Sequence, residues 1–289
     1  MIIAVLGANG QLGNELQVLA KSYPDDSFYF TDIDEVNITQ KESFENYIRK
    51  IQPDILINAA AFTAVDKAES DAEKAMQVNA KAVEIIASFS DTYHYFLIHV
   101  STDYVFDGTH YKPYHELDVP HPVSIYGKTK LAGEQAIKGL LSRAIIIRTS
   151  WLYSSFGNNF VKTMLKLSKE RSQLSVVFDQ IGTPTYAADL ADAILKICPQ
   201  TQKIKNVEIY HYANEGVCSW YDLAKEIMYA TASSCEIIPI ETKDYPTAAT
   251  RPHYSVLNKQ KIKTDFGIRI PHWKDSLFHC LNQMNVLKK

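Results

Sequence analysis

Short, wholly apolar runs alternate along the first half of the chain with stretches whose apolar residues recur every three to four positions. Ile2–Leu6 is the first run and ends at a glycine; Gly10–Tyr23 follows with Leu12, Leu16, Leu19 and Ala20 on one helical face. Phe28–Thr31, Ile55–Asn58, Tyr95–Val100 and Ala144–Ile147 are further strand runs, separated by helical patterns at Glu42–Ile51, Ala72–Ser88 and Tyr126–Lys138. A strand that is apolar at every position is covered on both faces. Such strands, alternating with helices, predict right-handed crossovers and a parallel sheet: an α/β, doubly wound, Rossmann-like fold.

The pattern loosens beyond residue 150. Phe160–Lys169, Ala187–Ile197, Trp220–Ala230 and Trp273–Met284 read as helices, and Leu174–Val177 and Glu208–Tyr212 as strands. The stretches 107–125 and 239–255, rich in proline, histidine and tyrosine, read as loops. No linker is visible. A smaller C-terminal lobe is therefore expected to pack on the first half and partly interleave with it.

Composition narrows the function classes. The 289 residues are 46% hydrophobic and 22% charged, as in an ordinary globular protein. With 30 basic against 33 acidic residues, there is no basic excess to pair with a phosphate backbone, so nucleic acid is not expected as a partner. No apolar run approaches the roughly 18 residues that span a bilayer, so no membrane is expected either. The N-terminus, Met1-Ile2-Ile3-Ala4-Val5-Leu6, carries no basic leader, which points to a cytoplasmic protein. Cys198, Cys218, Cys235 and Cys280 form no CxxC pair and are expected as reduced thiols. The nine histidines form no HExxH, so no zinc site is expected.

The chemistry begins where the first strand ends. Gly7-Ala8-Asn9-Gly10-Gln11-Leu12-Gly13 is a GxxGxxG spacing set between a strand and a helix. There the free N–H groups and partial positive charge of the helix N-terminus suit a pyrophosphate. Gly7 permits the tight turn, Gly10 the approach of phosphate, and Gly13 close packing of helix on sheet. Asp32 closes the second strand, where a carboxylate accepts hydrogen bonds from an adenosine ribose; a solvated turn is the other reading of Asp32-Ile33-Asp34-Glu35. That run contains no arginine for a 2′-phosphate, which favours NADH over NADPH. Residues 1–150 are thus expected to form a dinucleotide-binding domain, and residues 151–289 mainly a substrate-binding lobe with some elements returning to the Rossmann sheet.

Tyr126-Gly127-Lys128-Thr129-Lys130 sets a phenol and an ammonium four positions apart on one helical face. A phenol ordinarily ionises near pH ~10, and an adjacent ammonium favours the phenolate and draws that value down. Lys128 falls off the face and is expected in solvent. Ser101 and Thr102 follow the fourth strand, beyond whose carboxyl end ligands of open α/β sheets bind, so a hydroxyl there suits a substrate carbonyl. Asn58-Ala59-Ala60-Ala61-Phe62-Thr63 ends the third strand; its small residues admit a cofactor ribose or nicotinamide, or simply pack the core.

These residues, in this order, resemble the extended short-chain dehydrogenase/reductase superfamily. Gly10–Leu16, Asn58–Glu69, Ser101–Gly108, Tyr126–Glu134, Arg148–Trp151, Gly157–Phe160 and Arg251-Pro252 resemble one of its families more closely, dTDP-4-dehydrorhamnose reductase, over almost the whole chain. The resemblance implies reduction of the 4-keto group of dTDP-4-dehydro-L-rhamnose to dTDP-L-rhamnose, a cell-surface sugar donor, by NADH or NADPH. It implies that Tyr126 donates the proton, Lys130 tunes Tyr126 and holds the nicotinamide ribose, and Thr102 polarises the ketone. Asp103 and Trp151 then correspond to substrate contacts, although Trp151 suits a core position equally. Gly7, Gly10, Gln11, Leu12, Asp32, Asn37, Ile38, Ala61, Phe62 and Thr63, with Tyr126 and Lys130, correspond to the cofactor site. Asn37 stands where the family commonly has an acidic residue. Arg251 reads either as an ion-pair partner or as a diphosphate contact. Some members bind magnesium through glutamates at a dimer interface. Glu15 matches the first position, but the second falls at Ala188, so no metal is expected, while a homodimer stays open.

Two other functions are compatible with the same scaffold. A nucleotide-sugar epimerase or dehydratase is one; the superfamily's dehydratases carry an acidic pair beside the Thr102 position, and here Asp103 is followed by Tyr104. A non-catalytic NAD(P)-binding regulatory subunit is the other, as in the regulatory subunit of methionine adenosyltransferase. The intact Thr102, Tyr126 and Lys130 set argues against it.

Overall fold

The apolar runs become strands that are buried on both faces, and the amphipathic stretches become the helices that bury them. In the computed structural model, which describes residues 1–288, the first half comprises β1 (Ile2–Leu6), α1 (Gln11–Ala20), β2 (Ser27–Thr31), α2 (Lys41–Ile51) and β3 (Ile55–Asn58). It continues with α3 (Val65–Ser70), α4 (Ala72–Met76), a π-helical turn at Gln77–Lys81, α5 (Ala82–Tyr93), β4 (Phe96–Thr102), α6 (Ile125–Leu140) and β5 (Ala144–Thr149). The second half adds β6 (Leu152–Tyr153), α7 (Phe160–Glu170), β7 (Gln173–Val177), β8 (Ile181–Gly182), β9 (Thr185–Tyr186) and α8 (Ala187–Ile197). It ends with β10 (Val207–Tyr212), β11 (Cys218–Ser219), α9 (Trp220–Thr231), β12 (Glu236–Ile240), α10 (Gln260–Phe266) and α11 (Trp273–Gln283).

Six strands make one parallel sheet in the order β10-β5-β4-β3-β1-β2. From β1 the chain goes one way to β2 and then back past it to β3, so Leu6 lies level with both Thr31 and Asn58. This reversal opens a crevice beyond the carboxyl ends of the strands, where ligands of such sheets bind. On one face Leu12 and Leu16 of α1, Leu190 and Ile194 of α8, and Ile262 of α10 pack against β1, β3, β4 and β5. On the other, Phe44 and Ile48 of α2, Val83 and Ile86 of α5, and Ile137 of α6 cover Leu56, Leu97 and Ile146. The edge strand β10 pairs residue by residue with β5 although it comes from the second half of the chain. A separate core forms where α7, α9 and α11 meet the parallel pair β7–β12.

Several boundaries differ from the sequence expectation for physical reasons. β4 runs on through Ser101 and Thr102, which therefore end the strand rather than follow it. β2 is only half buried, as suits an edge strand. β12, which no sequence pattern marked, extends two residues into the 239–255 stretch expected as loop; Pro239 is tolerated because the strand pairs on one side only, with β7. None of the described helices is long and apolar enough to cross a membrane, and the four cysteines are buried and unpaired.

Candidate active site

The glycine loop is built for a close approach. Gly7 has φ +81°, and a Cβ there would stand 2.7 Å from the Ala60 nitrogen; one on Gly13 would stand 2.3 Å from the Gly7 carbonyl oxygen. Any larger residue would push β1, α1 and the loop after β3 apart. The loop is tied to β2: the Gly7 and Ala8 N–H groups donate to the Thr31 carbonyl at 3.0 and 3.1 Å. The Asn9 N–H donates to the Asp32 carboxylate at 2.8 Å. At the start of α1, Gly10 brings no side-chain cap. The N–H groups of Gln11, Leu12 and Gly13 therefore have no partner among the described residues, and Gln11 and Leu12 line a cleft of about 870 Å³. Orphaned donors with the positive end of a helix dipole suit a pyrophosphate.

The cleft collects the residues that the sequence singled out for cofactor, substrate or catalysis, with the exception of Arg251. Gly7, Gly10, Gln11 and Leu12 line it beside Asp32, Asn37 and Ile38; Ala61, Phe62 and Thr63 line it from the loop after β3, Thr102 and Asp103 from the end of β4 and just beyond, Tyr126 and Lys130 from α6, and Trp151 from just after β5. Asp32 receives the backbone N–H of Ile33 as well as that of Asn9. Its first task is thus to fix the loop, and each carboxylate oxygen keeps a second lone pair for a ribose hydroxyl.

Asn79, which sequence reasoning missed, joins the two halves of the site. It lies in the π turn, is 1% exposed, and has its backbone carbonyl against Gly133 of α6. Its side-chain oxygen accepts the Phe62 N–H at 2.8 Å. Its amide donates to the Phe62 carbonyl at 3.0 Å and to the Thr129 hydroxyl at 3.1 Å. The alanine-rich loop is thereby fastened to the helix that carries Tyr126 and Lys130. A polar residue within the buried stripe Ala75, Ala80, Val83 and Ile86 was the available signal.

Tyr126 and Lys130 are both buried and face the same cleft, whereas Lys128 is exposed. Their electrostatics differ from the sequence expectation. Burial pushes the Tyr126 phenol up to about 12; the Thr102 hydroxyl opposes the rise and the Asp103 charge adds to it. Lys130 does not pull the phenol down. Its ammonium donates to the Val100 carbonyl at 2.7 Å, and burial lowers it to about 8, with the Glu134 carboxylate working against the fall. The Ser101 hydroxyl turns the other way and donates to Glu134 at 2.6 Å, leaving Thr102 as the hydroxyl available to the cleft. Thr102 donates to Asp103 at 3.0 Å.

Asp103 is 2% exposed, and burial pushes it up to about 6 against the opposing hydroxyls of Ser255 and Thr102. A carboxyl held above its unfolded value of 3.8 favours the fold while protonated. That stability is complete below about pH 4 and is lost as the pH rises through about 6. Asp103→Asn is therefore expected to stabilise the protein at pH 8, by up to about 3 kcal/mol, and to change little at pH 4. Melting curves of both proteins at the two pH values measure this; an equal shift at both would reject the assignment.

Arg251 lies outside the cleft lining. Its guanidinium grips Asp66 at 3.1 and 2.5 Å, so of its two readings the ion pair is the one formed. Glu15 is buried and accepts from the Ser154 hydroxyl at 2.6 Å, and Asn159 donates to Gln11 at 2.8 Å; both bonds hold the segment after β6 against α1.

A helix end with unpartnered N–H groups, a threonine ending β4 and a tyrosine–lysine pair on α6, all on one crevice, are the features of an NAD(P)-dependent oxidoreductase of the extended short-chain dehydrogenase/reductase type. The family model described as RmlD substrate binding domain matches residues 1–286, and a dTDP-4-dehydrorhamnose reductase of Aggregatibacter actinomycetemcomitans is 41% identical over 286 residues, 95% of this chain and 96% of that protein. The chain belongs to the dTDP-4-dehydrorhamnose reductase family. Two solved structures bearing that enzyme name share its fold throughout. The protein from Clostridium acetobutylicum matches with a TM-score of 0.94 and 38% identity, covering 99% of this chain and 100% of that one. The one from Bacillus anthracis, in complex with NADP, matches with a TM-score of 0.93 and 38% identity, covering 98% and 99%.

Proposed function

We infer that this protein reduces the 4-keto group of dTDP-4-dehydro-L-rhamnose to give dTDP-L-rhamnose, a precursor for cell-surface polysaccharide. The observation that carries the reading is the convergence of Thr102, Tyr126 and Lys130 on the cleft that begins at the orphaned N–H groups of α1. A nicotinamide dinucleotide would be held at its pyrophosphate by the N–H groups of α1 and would supply the hydride. The chain's own residues handle the rest. Thr102 turns its one hydroxyl hydrogen from Asp103 to the ketone oxygen, where negative charge develops. Tyr126, with its phenol held protonated, gives that oxygen a proton, so ketone, hydride and proton balance to a secondary alcohol. Lys130, anchored by one donor on Val100, turns its remaining donors to the ribose.

The test is purified protein with dTDP-4-dehydro-L-rhamnose, generated in place by a coupled epimerase because it is labile, while the nicotinamide absorbance is followed. One equivalent of reduced cofactor should disappear per dTDP-L-rhamnose formed. Product without net cofactor loss would instead identify an epimerase, and absence of turnover would sink the reductase reading. Asp32, with Asp34 and Glu35 beside it, repels a 2′-phosphate, so kcat/KM with NADH is expected to exceed that with NADPH in the same assay. The opposite ratio would reject that preference and leave the reductase reading intact.

A further inference from the structure

Trp151 is held under constraint at the substrate end of the cleft. Its φ of +46° lies in the left-handed region that bulky side chains avoid, a kind of backbone strain concentrated at ligand-binding sites. The ring is wedged as well. On one side stands Gly182, where a Cβ would lie 2.6 Å from the indole. On the other, the Trp220 ring stacks at a centroid distance of 3.6 Å and an angle of 8°. Two ring quadrupoles disfavour such a face-to-face sandwich over an offset or edge arrangement. The surrounding frame therefore holds the pair together. Phe160 backs Trp220 at 4.7 Å and 48°. Ser219 and Asp222 close a capping box that fixes the first turn of α9, where Trp220 sits. Both indoles remain partly exposed, and both line the cleft.

Resting on the reading that the substrate is a nucleotide-linked keto sugar, we propose that Trp220 is a specificity-determining residue that continues the Trp151 wall. Together they offer the partly exposed apolar edges of two stacked indoles to the C–H-rich face of a 6-deoxy sugar. No motif in the sequence marks Trp220, because its partner is distant in the chain and the two meet only through the packing of α9 on the segment after β5. Contact with the sugar, and not with the dinucleotide, has a distinct kinetic consequence: ground-state binding is lost while the chemical step is kept.

Trp220→Leu preserves an apolar contact with Phe160 but lacks the aromatic ring and its edge; Trp220→Phe retains a ring. For Trp220→Leu, KM for the keto sugar nucleotide should rise by about tenfold or more, with kcat and the affinity for NADH within about twofold of wild type, and Trp220→Phe should recover most of the loss. Far-ultraviolet circular dichroism reports the stack directly, since the exciton signal of paired indoles should vanish in both variants while the melting temperature is held. An unchanged KM in Trp220→Leu, or a parallel fall in NADH affinity, would overturn the proposal. Binding of dTDP-L-rhamnose to the same proteins is measured by calorimetry. If the wild type shows no turnover, the reductase reading fails on its own; weaker binding in Trp220→Leu restored in Trp220→Phe still supports the wall, and equal binding rejects it.

Discussion

Replacing Tyr126 by phenylalanine should lower kcat by roughly 10²–10⁴-fold, the usual contribution of a general acid, and leave NADH binding within about twofold. The ring itself has structural partners that the substitution keeps. It meets Tyr104 edge-on at 5.5 Å and 74°, and packs with Ala68, Ala75, Phe62 and Val65. Only the hydroxyl beside Thr102 is lost, so the fold and the dinucleotide cleft should persist. The direction of the reaction explains why a phenol raised to about 12 still serves. A ketone receiving hydride becomes an alkoxide, which is a stronger base than a phenolate, and the acid must be protonated when it is needed. Burial guarantees that protonation across the working pH range. Consequently the reductive rate should show no alkaline limb from phenol ionisation below about pH 10. Stopped-flow and steady-state rates of the variant, with its melting curve as control, make the measurement. Turnover within tenfold of wild type would remove Tyr126 from the role of proton donor.

Much of this site was readable because its signals are local. A glycine-spaced turn between an apolar strand and an amphipathic helix, and a tyrosine and lysine four positions apart, are patterns within a few consecutive residues, and Gly7, Gly10, Tyr126 and Lys130 line one cleft. What escaped depends on contacts between distant segments. Asn79 lies inside a helical stripe whose 3.6-residue rhythm conceals the π turn, and its partners Phe62 and Thr129 belong to other elements. The electrostatics escaped for the same reason. Helical spacing brings Lys130 to the face of Tyr126, but the carbonyl of Val100, a whole strand away, is what the ammonium binds. Arg148 offered a plainer clue that went unused. An arginine directly after Ile145-Ile146-Ile147 in a strand covered on both faces has to be paired inside the protein.

That pairing supports the second large effect. Arg148 is 0% and Glu134 1% exposed. The guanidinium donates to the two carboxylate oxygens at 2.9 and 2.6 Å, Ser101 adds its hydroxyl at 2.6 Å, and the guanidinium lies 5.1 Å from the Phe106 ring centre. Removing one charge strands the other without water, so Arg148→Met should cost about 3–5 kcal/mol in chemical denaturation. Removing both is different, because the attraction within a buried pair roughly offsets the cost of desolvating it. The double variant Arg148→Met with Glu134→Leu should regain most of the stability. Its activity should not return in full. Glu134 sits one helical turn beyond Lys130 and holds that ammonium up against the fall caused by burial, which also leaves His99 neutral nearby. Without the carboxylate, the lysine loses its proton at a lower pH than about 8, and the alkaline limb of kcat/KM should move down with it. A double variant with wild-type stability and an unmoved pH profile would show that the pair only packs α6 against β4 and β5. A shifted limb on a stable fold would show that this buried pair also sets the charge of the lysine beside Tyr126, which separates its structural effect from its electrostatic one.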